Sequence, residues 1–191
     1  AGQVCIDGYG ERLIVDLGSP PMYPADFFGK NRYQYYNAGV AGHNIFMFNE
    51  QEMATGETCR AEILSADFDN RGGAWSIDLT ACYEGVYDVR RKVVHHKAGV
   101  IAVLDTARLV DPQDISLRWH TVDKGTPDDT GNFEVSSNGV HLSARIVCLQ
   151  GAQFTIQRRE HAYQVPFNKG RLGDVFEDRH ESYIEACLTD Q

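Results

Sequence analysis

Along this chain apolar and polar positions alternate with a period of two far more often than they recur at helical spacing. The clearest alternating runs are 12–16, 44–48, 59–65, 75–83, 86–95, 99–106, 115–121, 132–136, 140–148, 153–158 and 181–188. They are rich in Val, Ile, Phe, Tyr and Thr, residues that suit a pleated and half-buried surface. Turn signals separate them: Asp7-Gly8, the stretch Asp69 to Gly73, Asp111-Pro112, Pro127-Asp128-Asp129 and Asn138-Gly139. Asn138-Gly139 between two alternating runs predicts a hairpin with a two-residue turn, because both turn positions must accept positive φ. Strands recurring about every 10 residues predict an all-β fold, an antiparallel multi-stranded β-sandwich. With no repeat, low-complexity tract or linker, the economical organisation is a single domain over residues 1–191.

One stretch breaks the pattern. Ser19 to Ala41 is irregular and carries Pro20, Pro21 and Pro24 together with Tyr23, Phe27, Phe28, Tyr33, Tyr35 and Tyr36. A loop of that length inside a compact domain usually serves function, and this aromatic content favours order over disorder.

Charge narrows the ligand classes. The net charge of −9 opposes a nucleic-acid groove, which needs clustered Lys and Arg. It leaves a polyanionic sugar open, since a local pocket can be basic on an acidic surface. Arg90-Arg91-Lys92 is one such cluster, or equally a charged strand edge that resists aggregation. The five cysteines, Cys5, Cys59, Cys82, Cys148 and Cys187, are widely spaced and odd in number. They read as small buried hydrophobes, not as a disulfide framework or zinc knot. No run approaches the roughly 20 apolar residues of a membrane-spanning helix, so no membrane partner is expected. The start lacks the pattern of a signal peptide and opens as if already inside a strand.

The chemistry concentrates in the segment from Arg32 to Phe48. Arg32, Tyr33 and Tyr36 make a sugar platform of flat apolar faces with hydroxyl and guanidinium donors. Small residues then precede His43 and Asn44 at the mouth of a strand. A His in that position serves equally well as a hydrogen-bonded structural residue, and the aromatics equally well as a homo-oligomer interface.

The order of these features resembles the β-sheet domain of the heparinase II/III-like polysaccharide lyases. The resemblance opens on Gly10-Glu-Arg-Leu-Ile-Val-Asp-Leu-Gly and runs through Arg32-Tyr33, Tyr36-Asn37 and Gly42-His43-Asn44. It continues over Trp75 to Tyr83, Asp88 to Lys92, Gly99 to Asp105, Leu117-Arg-Trp119-His120-Thr121, Val140 to Ile146 and Gly151 to Phe154. It implies a β-eliminating lyase that cleaves acidic polysaccharide beside a uronic acid. It further implies a periplasmic or secreted setting and a cleft shared with an α/α-toroid domain that this chain lacks. His43 matches the family's His-Asn pair and is the implied catalytic residue. Arg32, Tyr33, Tyr36, Asn44 and His120 are the implied substrate-binding residues. Several members hold a structural zinc, for which the nearest counterparts are His43, Glu62 and either His95 or His96, with Asp67 competing. His and carboxylate ligands suit Zn²⁺, but adjacent histidines on a strand face opposite ways, so only one of them can serve.

Elimination needs the uronate carboxylate neutralised, a base for the C5 proton and an acid for the leaving oxygen. With the toroid's contribution missing, the isolated chain is expected to be inactive. A non-catalytic carbohydrate-binding module, an oligomerisation sandwich and a uronyl epimerase domain are the alternative readings.

Overall fold

The computed structural model describes residues 1–18, 23, 27–97, 99–162 and 180–189. Pro20, Pro21 and Pro24 of the aromatic stretch lie outside them. Among the described residues twelve strands are formed: β1 (Ile6–Gly8), β2 (Glu11–Ile14), β3 (Phe46–Phe48), β4 (Glu62–Asp69), β5 (Gly72–Asp78), β6 (Val86–His96), β7 (Val100–Leu109), β8 (Ile115–Thr121), β9 (Asn132–Ser137), β10 (Val140–Arg145), β11 (Thr155–Ala162) and β12 (His180–Leu188). Each strand pairing is antiparallel, and the only helical elements among the described residues are 3₁₀ turns at Arg32–Gln34, Val40–Gly42 and Thr80–Cys82. The protein is therefore all-β, of the antiparallel sandwich class that the alternation predicts.

Although no linker marks the sequence, contacts divide the chain into two compact units. One spans residues 51–113 with Ala1 and Gly2; the other spans residues 3–50 and 114–189.

The first unit is the meander β4-β5-β6-β7. In β6, Val89, Arg91 and Val93 are buried while Arg90, Lys92 and Val94 are exposed, which is period-two burial on one face of a sheet. The basic cluster is thus split by the pleat. Arg91 points inward with no exposed side chain, and Asp105, its cross-strand partner on β7, holds it through bonds of 2.6 and 2.8 Å. A third donor reaches the Gly2 carbonyl at 2.7 Å. Burying a guanidinium is tolerable only because its donors find acceptors in this fork geometry.

The second unit carries the sheet β1-β2-β8-β12-β11, with β3 also pairing to β8. The β9–β10 hairpin lies alongside β2 and turns at Asn138-Gly139, with φ of 46° and 81° at the two residues. This is the turn expected from sequence. Ser137 and Asn138 donate to the Glu11 carboxylate at 2.7 and 3.0 Å, tying the hairpin tip to β2. The expected turn at Asp7-Gly8 forms two residues later, at Tyr9-Gly10, and Asp7 and Gly8 belong to β1.

Replacing Asp105 by Ala leaves the Arg91 charge buried without its carboxylate. The expected cost is about 3 kcal/mol or more, read as a lower urea midpoint at unchanged slope.

Candidate functional site

Cross-strand register builds the site. On β8 the side chains of Arg118 and His120 share one face. Register places Glu185 and Tyr183 of β12 opposite them, and Arg159 of β11 opposite Tyr183. His161, two residues beyond Arg159, falls on the same face. One face of β8-β12-β11 therefore gathers two arginines, two histidines, a tyrosine and a glutamate. The aromatic segment before β3 folds against it. Gly42 permits this approach, since a Cβ there would lie 2.0 Å from the Tyr36 carbonyl oxygen.

Asn44 organises the centre and is fully buried. Its amide nitrogen donates to the carbonyls of Val4 (2.8 Å) and Val15 (3.0 Å). Its side-chain oxygen accepts from the main-chain N–H of His120 (2.6 Å) and faces His120 Nδ1 at 3.0 Å. That oxygen can only accept, so Nδ1 of His120 carries the proton and Nε2 the lone pair. Tyr36 Oη, 2.8 Å from Nε2, is then the donor. Burial first, and then the charges of Arg118, His43 and His161, hold the His120 pKa down at about 3, so the ring is neutral at ordinary pH.

Tyr36 is fixed on its other side as well. It stacks on His161 with ring centroids 3.6 Å apart and planes 8° from parallel. His161 is half-buried, and burial followed by Arg118 lowers its pKa. Beneath lies an alternating ion chain. Arg118 donates to Glu50 and Glu185, each at 2.9 Å, and Glu185 accepts from Arg159 at 2.9 Å. Arg118 also lies over the Tyr183 ring, 5.1 Å from its centroid.

His43 stands at the edge of this ensemble. It follows the Val40–Gly42 turn, and its Nδ1 lies 3.1 Å from Asp16 Oδ2, with both side chains about one-third exposed. The carboxylate can only accept, so Nδ1 donates, and in the neutral form of the ring the lone pair lies at Nε2. Asp16 is itself braced by the Gly18 N–H at 2.8 Å. This is a carboxylate–imidazole pair, the arrangement that orients a proton-transferring histidine.

The residues expected from sequence differ in how far they are open to solvent. His43 and Tyr36 are partly open, and Tyr33 is 43% exposed. Arg32 is held over the rings of Phe27 and Phe28, at 5.1 and 5.4 Å. Asn44 and His120, read as substrate-binding, are fully buried with their polar groups satisfied inside the protein. Their hydrogen bonds position neighbouring groups: Val4, Val15 and Tyr36. The zinc set is not brought together. Glu62 sits in register with Asp78, whereas His95 sits in register with Gly73. Five residues along β5 offset their register positions by roughly 16 Å, with β5 between the two strands, too far for one ion. Among the described residues no group of three or more His, Cys, Asp or Glu side chains is placed to hold a metal. Asp16, His161, Arg159 and Glu185 escape a sequence reading. Only Asp16 carries a local cue, an acidic residue closing an alternating run.

The chain matches the family described as Heparinase II/III-like, C-terminal, over residues 7–171. It belongs to that family. Among solved structures it resembles the heparan sulfate lyase HepC from Pedobacter heparinus, with TM-score 0.71 and 13% identity, over 95% of this chain and 26% of that one. It also resembles the heparinase III BT4657 gene product, with TM-score 0.74 and 10% identity, over 100% of this chain and 27% of that one. A further structure of heparinase III aligns with TM-score 0.62 and 16% identity, over 95% of this chain and 28% of that one. The chain thus spans about a quarter of the length of these proteins. No curated protein matches it at the sequence level.

The depressed His120 pKa sets a pH dependence. Below about pH 6.5 the unfolded chain protonates this ring while the folded chain, held near 3, does not. Stability is therefore fully present above that value. It falls as pH drops through the window, by up to about 1.4 kcal/mol per pH unit. His120→Gln keeps an acceptor for Tyr36 but cannot titrate. Its melting temperature should fall less steeply than that of the unaltered chain between about pH 6 and 4. Parallel curves would refute the buried neutral ring.

Proposed function

We propose that this chain forms the β-sheet wall of a polysaccharide lyase that cleaves beside a uronic acid by β-elimination, with His43 as its proton-transferring residue. The observation that carries this reading is the Asp16–His43 pair, partly open beside the hydrogen-bonded Tyr36–His120 and Arg118–Glu185 pairs. Family membership gives the pair its context.

Asp16 holds the Nδ1 proton, so Nε2 of His43 is the atom that accepts a proton from the sugar or returns one to it. The Tyr36 hydroxyl donates its hydrogen to His120. The exposed Tyr33 ring suits a pyranose face, and Arg32 suits a uronate carboxylate or a sulfate. In this reading a helical domain supplies the complementary acid–base group. This chain by itself does not turn over substrate. Heparan sulfate is the first substrate to test, because the Pedobacter neighbour is a lyase for it.

The natural full-length polypeptide should release unsaturated uronate, seen by ultraviolet absorbance, from at least one of heparan sulfate, heparin, chondroitin and alginate. His43→Ala should lower kcat/KM about 10³-fold with the melting temperature nearly unchanged. The 191-residue chain alone should give no signal. Full activity in His43→Ala, or elimination on none of these polymers, overturns the reading.

A further inference from the structure

The aromatic segment carries a cation that its surroundings leave unneutralised. Between Asp26 and Glu50 the sequence holds Lys30 and Arg32 and no acidic residue, on a chain whose net charge is −9. Arg90, Arg91, Arg118 and Arg159 each face a carboxylate. Arg32 does not. Among the described residues its guanidinium has no hydrogen-bond acceptor, and it lies instead over the rings of Phe27 and Phe28.

Local structure holds it there. The Arg32 N–H donates to the Gly29 carbonyl at 3.1 Å, a tight turn that brings residue 32 back over residue 28. Phe27 is buried and packs against Tyr35, Tyr36 and Ala38, which anchors the platform to the segment carrying Tyr36. Phe28 meets Phe27 edge-on, with centroids 5.1 Å apart and planes at 81°, and is itself 70% exposed. The exposed Tyr23 ring lies 4.8 Å from Phe28 on its other side. An open apolar ring beside a cation with unspent donors fits a ligand that is flat on one face and anionic at one edge.

We propose that Phe28 and Arg32 form a saccharide subsite that takes one uronate residue of an acidic polysaccharide. The pyranose lies on the exposed Phe28 ring, and the Arg32 guanidinium donates to the uronate carboxylate through its fork of N–H groups. Lys30, exposed two residues away, strengthens the positive field over the subsite. Among the described residues no hydrogen bond or ring contact links Phe28 or Arg32 to Asp16 or His43. The subsite therefore acts in holding the polymer and not in proton transfer. That the anionic sugar is a uronate rests on the polysaccharide-lyase reading.

The 191-residue chain is titrated by calorimetry with three oligosaccharides of similar length. These are alginate, whose sugars are unsulfated uronates, dextran sulfate, which has sulfate but no carboxylate, and neutral dextran. Expected is saturable binding of alginate, weakened about tenfold by Phe28→Ala and by Arg32→Gln, and no binding of neutral dextran. Arg32→Lys keeps the charge without the fork and should fall between Arg32→Gln and the unaltered chain. Phe28→Ala should leave the melting temperature nearly unchanged, since the ring is exposed. Unchanged alginate affinity in either Phe28→Ala or Arg32→Gln overturns the proposal. So does equal binding of neutral dextran, binding of dextran sulfate alone, or no binding of alginate. Binding is read without turnover, so this subsite can fail while the full-length polypeptide still eliminates, and can hold where elimination fails.

Discussion

The second unit depends on one buried carboxamide. Asn44 sits between the N-terminal segment, β2 and β8, and its amide satisfies a main-chain group of each: Val4, Val15 and His120. An unsatisfied buried polar group costs about 1–3 kcal/mol. The carboxamide thus fixes where three chain segments meet. The same bonds settle which His120 nitrogen holds the proton, and that decides the direction of the Tyr36 hydroxyl. Fold and chemistry share these hydrogen bonds, so a change meant to alter one alters the other.

The polar face of β8-β12-β11 shows how a sheet can hold so much charge at low exposure. Arg118 and Glu185 are nearly buried, yet each meets more than one partner, with Glu50 and Arg159 carrying the chain of charges to solvent. Alternation of sign is what makes burial tolerable, because each ion is solvated by its neighbours in place of water. The positive field of Arg118 is also felt by both nearby rings, His120 and His161, and favours their neutral forms. Within this unit His43 faces the Asp16 carboxylate, and on the exposed β9–β10 hairpin His141 faces Glu134.

Much of the architecture is legible in the residues. Strand β8 is predicted to the residue because its alternation is uninterrupted and its neighbours on both sides are turns. The Asn138-Gly139 hairpin is legible because its φ values demand those residue types. Strand β1 is not, because the adjacent turn places Tyr9 at φ 51°, a residue that gives no turn signal. The run from Trp75 overshoots β5 because the Asp78 carboxylate accepts from the Thr80 N–H and starts a 3₁₀ turn. His43 and Tyr36 stand out locally. His161 and Glu185 do not, since their roles arise only when β11 and β12 pair in a given register. The separation of Glu62 from His95 has the same root: strand order indicates which strands are neighbours, and only register indicates which residues are.

The exposed edge strand β4 bears on how the chain behaves among other copies of itself. A sheet edge is a row of unused donors and acceptors, and any extended segment of suitable length can add to it. Ile63, Leu64 and Phe68 would reward such an addition, being 72%, 46% and 67% exposed. Glu62, Asp67 and Asp69, interspersed along the same strand, set like charges against a second copy of β4 docking beside it. The acidity of this strand therefore acts as a solubility device, independent of the chemistry at His43. It leaves the edge open to a partner strand of opposite charge while turning its own kind away.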